Sequence, residues 1–461
     1  MCMFHLDFNH PCHVHFIGIG GISMSGLAEI LMDRGFSISG SDCTLSPLTE
    51  RLAARGVRIS GHQKASNITP EIDLVVYSAA IHDDNPELKE ALMRKIPAIS
   101  RAELLGALMK NYDTPIAVAG THGKTTTTSM LAHILLAART DPTISVGGVL
   151  KAIGGNVRIG SSKYFLMEAC EYTNSFLHFF PKVAVILNID EDHLDFFKDL
   201  ADIRHSFHRF ADLLPEDGTL VIGGEIPYLP AITQGLKCRV VTFGKQPSDN
   251  YFADDFYYED DGHAEYTYYH NREYVSRVRL SVTGMHNITN SLAALAVADV
   301  LGIPLETSLA GLASFTGTTR RFEPKGEVNG ISIVDDYAHH PTEINATLSM
   351  ARHYAHREIW CVFQPHTFTR TKALFNEFVD VLSKADHIIL PEIYAARETD
   401  TLGMSSELLA DALRKRGVDA YFIPDFEKIE TFILENCQEN DLLITMGAGN
   451  VVKIADDLIG K

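Results

Sequence analysis

An α/β protein of three successive domains is the fold class this sequence predicts, and three observations carry it. A short apolar run, a glycine turn and a helical pattern occur together twice, as HVHFIGIGGISMSGLAEILMDRG from His13 and as IAVAGTHGKTTTTSMLAHILLAA from Ile116. β-like runs then alternate with helix-period segments through most of the chain, the pattern of parallel sheets covered by helices. Finally, 461 residues are too many for one core, since a domain usually holds about 100 to 200.

The first unit, residues 1–111, opens with the run ending at Ile17, turns at Gly18, Gly20 and Gly21, and continues as a helix carrying Leu27, Ile30 and Leu31. A second strand ends near Asp42, further strand-like runs (IDLVVYSAA, then IPAIS) follow, and Asn111 to Pro115 reads as the exit linker. This is a Rossmann-like, doubly wound arrangement, whose first turn presents helix-terminal N–H groups to a pyrophosphate. The dinucleotide fingerprint needs a third glycine where Ser23 stands, although Gly26 suits close packing and Asp42 occupies the place of a ribose-binding acid. Two readings stay open here, a tight turn or a site for a nucleotide diphosphate, and hydride chemistry is not implied.

The second unit, residues 112–321, is predicted as a P-loop ATPase-type sheet with an antiparallel extension. Gly120-Thr121-His122-Gly123-Lys124-Thr125 lies between a strand and a helix and ends as a phosphate loop does, although Val118 replaces the glycine of the full pattern. Lysine neutralises phosphate oxygens and the next hydroxyl ligates Mg2+, which points to triphosphate binding. His122 alone reads equally as a loop cap. Two later strands end in acids: Glu168 and Glu171 in MEACEYTNSF, and Asp190, Glu191, Asp192, His193 and Asp195 in NIDEDHLD. Strand carboxyl ends of an open sheet converge on one crevice, so these groups are expected near Lys124. From about 238 to 283 the chain becomes aromatic and alternating, as antiparallel strands do, with its acidic cluster read as a solvated turn. GMHNITN then places His286, Asn287 and Asn290 at a helix start, where they serve as caps or meet an adenine edge.

The third unit, residues 322–461, is again Rossmann-like, with ISIVDDY, EIWCVFQP, HIILPEIY and DLLITMGAGN as strands of an open parallel sheet. Asp335, Asp336, His339 and His340 end the first of these, before Pro341 in the first turn of a helix. His366, Arg370 and Lys372 follow the next. No spacing here gathers the three or four ligands of a zinc site. A polar edge facing the phosphate loop is the better account, and the domain boundaries near 112 and 322 are placed to about ten residues.

Composition excludes several classes of function. A formal charge of −19 argues against a nucleic-acid surface. The longest apolar runs, such as Val183 to Leu187, fall far short of the roughly 20 residues of a membrane span. Seven scattered cysteines lack any C-x-x-C pair and read as reduced thiols. The start, MCMFHLDFNHP, has no basic region followed by an apolar stretch, so a cytoplasmic location is expected.

GTHGKTTTT, NIDEDHLD, GMHNITN, RRFE and DDYAHHPTE occur in that order, and together they resemble the ATP-dependent Mur ligases of bacterial peptidoglycan synthesis over nearly the whole chain. The resemblance implies that ATP phosphorylates a carboxylate of a UDP-sugar and that an amino acid then attacks the acyl phosphate. It implies Gly120, Thr121, His122, Gly123, Lys124, Thr125 and Thr126 on the phosphates, Thr125 and Glu168 on one Mg2+, and His193 on a second. Asn287 and Asn290 would meet adenine, and Arg321 and Asp336 phosphate and ribose, with domain closure part of the cycle. His339 and His340 would lie near the acyl phosphate and the amine, and Tyr337, His366 and Arg370 at the amino acid. Gly18, Gly20, Gly21, Asp42 and Ser78 would take the UDP part. HFIGIGGISMSGLA and DDYAHHPTE look like the branch whose partners are UDP-N-acetylmuramate and L-alanine, acting as monomer or homodimer; the branch that attaches recycled peptides usually differs at both segments. Two departures stand out. IRHSFHRFADLL has no lysine where several members carry a carbamylated one, and EACEYTNSF replaces the more usual EADESDASF, which leaves the role of Glu171 open.

Overall fold

The computed structural model describes residues 6–194, 196–258, 263–396 and 398–460, and in it the chain forms a three-domain α/β fold built on three sheets. The first sheet has five parallel strands in the order β3-β2-β1-β4-β5. These are β1 (His13–Ile17), β2 (Ser37–Ser41), β3 (Arg58–Ser60), β4 (Leu74–Tyr77) and β5 (Ala98–Ser100). The order reverses between β1 and β4, where the turn at Gly18 and the side chain of Ser78 meet: a Cβ on Gly18 would lie 2.9 Å from Ser78 Oγ. Helix α1 (Ile22–Asp33) starts there and buries Met24, Leu27, Ile30 and Leu31, the i, i+3, i+4 stripe of an amphipathic helix.

Ten strands make the second sheet, ordered β15-β14-β13-β12-β11-β10-β6-β9-β7-β8. They are β6 (Thr114–Ala119), β7 (Thr143–Leu150), β8 (Gly155–Arg158), β9 (Tyr164–Glu168), β10 (Val183–Ile186), β11 (Thr219–Gly223), β12 (Arg239–Gly244), β13 (Tyr251–Tyr258), β14 (His263–His270) and β15 (Glu273–Thr283). Parallel β9 and β10 flank β6, so three carboxyl ends open on one edge. Helix α2 (Lys124–Ala137) follows β6 and packs against α3 (Met285–Val300), whose apolar residues fill the second core. β7 and β8 pair antiparallel at one edge, and in the extension at the other edge antiparallel pairing begins only with β13 and β14; β12 runs parallel to β11, because Val241 and Phe243 continue the buried core of the parallel half. Glu259, Asp260 and Asp261 of the predicted solvated turn lie outside the described residues.

The third sheet has the order β16-β17-β21-β18-β19-β20. Its strands are β16 (Glu323–Val328), β17 (Ile331–Asp336), β18 (Ile359–Phe363), β19 (His387–Leu390), β20 (Asp419–Phe422) and β21 (Leu442–Met446). All neighbours are parallel except β16, which pairs antiparallel with β17, so the sheet is mixed rather than wholly parallel. Helix α4 (Pro341–Ala351) follows β17 and α5 (Phe368–Ala373) follows β18, and both begin beside the carboxyl edge of the second sheet. Among the described residues no helix is long and apolar enough to cross a membrane.

Candidate active site

The centre of the site is the turn after β6. Gly120 (φ 140°) and Gly123 (φ 85°) adopt backbone that L side chains disfavour, and a Cβ on Gly123 would sit 2.5 Å from Asn290 Oδ1. Gly123 starts α2 with no side-chain cap, so the first amides of the helix remain available to an anion. Lys124 Nζ curls back to donate to the carbonyls of Gly120 (2.5 Å) and Thr121 (3.0 Å) and to Glu171 Oε1 (3.1 Å) and Oε2 (3.0 Å). Burial alone would lower its pKa, but the Glu171 carboxylate outweighs burial and carries the ammonium above the ordinary lysine value. Glu171, whose role the sequence left open, is thus the resting partner of Lys124.

Glu168 ends β9, accepts the Gly147 N–H at 2.8 Å and hydrogen-bonds the Thr125 hydroxyl. Burial raises its pKa above the usual carboxylate range. His193, in left-handed backbone (φ 55°), stands apart from that pair. Its Nε2 is 3.9 Å from Glu171 Oε1 and 3.8 Å from Asp192 Oδ2, and its ring lies 4.5 Å from that of Tyr172. Asp195 falls outside the described residues.

The third domain closes on this edge. His122 Nε2 is 3.3 Å from Asp190 Oδ2 and its Nδ1 3.2 Å from Glu343 Oε1 in the first turn of α4. Burial opposes its protonation, yet the two carboxylates raise its pKa to about 9. Beside it the Thr342 hydroxyl donates to Asp190 Oδ2 (2.7 Å), and His340 Nε2 reaches the Glu191 carbonyl (2.9 Å). The ring of His340 is 4.9 Å from that of His122. His339 turns away, with Nδ1 on the Tyr337 carbonyl at 3.0 Å, and burial lowers its pKa to about 4. Tyr337 packs under two guanidinium groups, Arg320 at 4.9 Å and Arg321 at 5.3 Å. Asp336 accepts from Phe322 N (2.9 Å), Ala338 N (2.7 Å) and the Thr347 hydroxyl (3.2 Å), and burial pushes its pKa up to about 6.

Two cavities flank the interface. The larger, about 800 Å³, is lined by Thr126, Asn287, Asn290, Arg321 and Asp336 together with His122 and Gly123. Its asparagines brace each other, Asn290 Nδ2 donating to Asn287 Oδ1 at 3.1 Å and Asn287 Nδ2 to the Thr283 carbonyl at 2.7 Å. The smaller, about 300 Å³, lies between Asp192 and His193 on one side and His366 and Arg370 on the other. There Arg370 donates to Asp192 and to the His366 carbonyl, and burial lowers the His366 pKa to about 4. His339 and Tyr337 line neither cavity.

Matches to known families follow the three sheets in order. Residues 13–113 match the "Mur ligase family, catalytic domain", 118–298 the "Mur ligase middle domain" and 320–449 the "Mur ligase, glutamate ligase domain". The chain belongs to the Mur ligase family. It is 56% identical to the UDP-N-acetylmuramate–L-alanine ligase of Lachnospira eligens, over 99% of this chain and 100% of that relative. The solved UDP-N-acetylmuramate-alanine ligase of Thermotoga maritima superposes with a TM-score of 0.81 at 29% identity, covering 97% of this chain and 98% of the other. A murein peptide ligase of Psychrobacter arcticus superposes with a TM-score of 0.72 at 26% identity, covering 97% and 98%. The ordered motifs and the three-domain α/β prediction agree with these matches.

In this Mur ligase the first glycine turn is held by residues of its own domain. Gly20 N donates to Asp42 Oδ2 (2.8 Å), and Gly18, Gly21 and Ser78 surround the same turn, none of them lining either cavity. Asp42 therefore holds the loop itself. Arg101 Nη1, 3.1 Å from Ser23 Oγ, supplies a cation the sequence did not single out. The donor set at Thr125 and Glu168 fits a magnesium ion: a hydroxyl and a buried carboxylate are hard oxygen donors, and burial makes that carboxylate favour a cation beside it. Gly147 and Glu343 are the other residues missed. One contributes only a backbone N–H, and the other reaches His122 across 221 residues.

Proposed function

We infer that the chain is an ATP-dependent ligase that joins L-alanine to the lactyl carboxylate of UDP-N-acetylmuramate, in the synthesis of the cell-wall precursor. The observation that carries this is full-length identity of 56% with a UDP-N-acetylmuramate–L-alanine ligase. A phosphate loop facing an arginine-lined pocket across a domain interface is the geometry such a reaction requires.

In the first step a carboxylate oxygen attacks the γ-phosphorus and the bond to ADP breaks. Two unit charges 4 Å apart repel by roughly 4 kcal/mol at an effective dielectric near 20, so this step needs cations at the loop. Lys124 supplies one, exchanging its contact with Glu171 for phosphate oxygens, and the α2 amides of Gly123 to Thr126 hold the rest. Mg2+, when bound at Thr125 and Glu168 with a second ion at His193, adds charge neutralisation on the phosphates. In the second step the alanine nitrogen attacks the acyl carbon, phosphate leaves from the tetrahedral intermediate, and one proton leaves the nitrogen. His339 and His366, whose pKa values near 4 keep them unprotonated at neutral pH, and His340 are the nearby proton acceptors. Residues 1–111 take the UDP part through Gly18, Gly20, Gly21 and Ser78, with Asp42 shaping the turn. Residues 112–321 take ATP, with adenine at Asn287 and Asn290. Residues 322–461 contribute Arg321's neighbour Tyr337, the Asp336 edge and the Arg370 pocket. The reaction is assigned to the cytoplasm, where ATP is available.

The reading is tested by mixing the protein with ATP, Mg2+, UDP-N-acetylmuramate and each candidate acceptor while ADP release is followed. L-alanine is expected to drive release and a tripeptide not to; no release above background with L-alanine would sink the assignment.

A further inference from the structure

Glu87, in the first turn of the helix Pro86–Met93, is a carboxylate with no surface exposure, and it lines neither cavity. Its two oxygens reach two different segments of the first domain. Oε2 accepts the hydroxyl of Ser41 (2.5 Å), the last residue of β2, and Oε1 accepts Asn67 Nδ2, which also donates to the His62 carbonyl at 2.8 Å. Beside it Asn85 Nδ2 donates to Gln63 Oε1 at 2.7 Å, so the start of this helix holds the chain that follows β3 at two points. His15 Nε2 stands 3.7 Å from Glu87 Oε2. Burial opposes a charge on Glu87, yet His15 and the hydrogen bonds from Ser41 and Asn67 keep its carboxyl below the usual range. Ser41 in turn carries the glycine turn: its carbonyl accepts the N–H groups of Gly18 (2.8 Å) and Ile19 (3.1 Å), and the next residue, Asp42, takes that of Gly20.

We propose that Glu87 is a positioning residue for the UDP-sugar, fixing through Ser41 and Asn67 the two segments that frame the nucleotide site. The proposal rests on the reading that residues 1–111 take the UDP part. Both segments follow strands of the first sheet at its carboxyl edge, where an open α/β sheet binds its ligand. With no exposed surface, Glu87 acts through these partners rather than by contact. An ionised carboxylate offers acceptors only, which suits two donors arriving from two segments. An amide in its place would set one donor against another and leave a buried polar hydrogen unpaired, a cost the chain relieves by moving one segment away. Helix α1 starts on Gly21 with no side-chain cap, so the direction of the amides before it depends on Ser41 and Asp42. A shift of the end of β2 therefore reaches the diphosphate and leaves the phosphate loop of the second domain as it is.

The test uses the whole enzyme and titration calorimetry with two probes, UDP-N-acetylmuramate and ADP, together with thermal unfolding of each protein. In Glu87→Gln the Kd for UDP-N-acetylmuramate is expected to rise at least fivefold, while the Kd for ADP stays within twofold. A Glu87 that only joins its helix to the sheet gives a lower Tm with both Kd values unchanged, and that result overturns the proposal, as does an equal rise in both. Should Glu87→Gln fail to fold, Ser41→Ala decides, because it removes the hydroxyl and keeps the carbonyl that holds the turn. Its Kd for UDP-N-acetylmuramate is expected to rise at least threefold with that for ADP unaltered, and no rise overturns the proposal. Gly20→Ala, whose Cβ would meet Asp42 Oδ2 at 2.8 Å, separates the two readings. Weaker UDP-sugar binding in Gly20→Ala with none in Glu87→Gln overturns the role of Glu87 alone; unchanged binding in both removes the UDP part from this domain, and the proposal with it.

Discussion

The turn after β1 and the turn after β6 share a skeleton: a buried strand, a glycine-rich reversal, and a helix that starts on glycine with no side-chain cap. Their surroundings differ. Around Gly18 to Gly21 the contacts come from the first domain, Asp42 holding the Gly20 N–H and Ser78 lying against Gly18. Around Gly120 to Lys124 they are charged and come from two domains, with Lys124 on Glu171 and His122 between Asp190 and Glu343. Backbone amides at a helix start suffice to hold a diphosphate that does not react. Transferring a phosphoryl group requires charge that is placed beforehand and free to change partner, and at the second turn Lys124, held by Glu171, meets that need.

The largest test of that contrast is Lys124→Ala. It is expected to lower kcat by about 1,000-fold or more, the upper range for losing one charge-stabilising donor, while KM for UDP-N-acetylmuramate changes little. Steady-state ADP release measures both, and a near-normal rate would end the distinction between the turns. Next in size is Gly123→Ala. A left-handed φ of 85° and a Cβ 2.5 Å from Asn290 Oδ1 force either the helix start or the asparagine to shift. A cost of about 2 to 3 kcal/mol at the loop corresponds to a fall of roughly 30- to 160-fold in kcat/KM for ATP. The matching change in the first turn is Gly20→Ala, whose Cβ would meet Asp42 Oδ2 at 2.8 Å and Thr49 Cγ2 at 3.1 Å. It is expected to raise KM for the UDP-sugar by about tenfold and to leave KM for ATP unaltered, a cost near 1.4 kcal/mol. A Gly20→Ala enzyme whose KM for ATP rose equally would show that the turns are coupled.

Most of the fold is legible in the sequence because parallel strands buried on both faces read as apolar runs, and the glycine turns mark where helices begin. β16 is not: EPKGEV carries Pro324 and Gly326, shows no alternation of apolar residues, and buries no residue fully at its sheet edge. The candidate site divides in the same way. Lys124, Thr125, Glu168 and His193 sit in short motifs whose residue types announce their chemistry. Gly147 adds only a main-chain donor to Glu168, and the Glu171 and Glu343 partnerships depend on strands and helices meeting far apart in the chain. Asp192 and Arg370 each appear in a motif, but their pairing is visible only once the domains close.

The smallest expected effect separates the turns by pH. Burial works against a charged His122, but Asp190 and Glu343 hold its pKa at about 9, so the imidazolium links the phosphate loop to α4 at neutral pH. A histidine whose pKa is raised on folding contributes fully below its ordinary value of about 6.5 and loses that contribution as pH rises towards 9. Asp190 and Glu343 are held below the usual carboxylate range and stay charged throughout that window, so the change belongs to His122. KM for ATP is therefore expected to rise about threefold between pH 7 and 9.5 while KM for the UDP-sugar stays level, since the first turn holds no such ion pair. In Glu343→Gln, one of the two carboxylates that raise the His122 pKa is gone, so the rise should begin at lower pH and be shallower. Identical profiles for the two proteins would mean that α4 does not hold the loop through His122, and the closing contact would have to be sought in the bonds of Thr342 to Asp190 and His340 to Glu191.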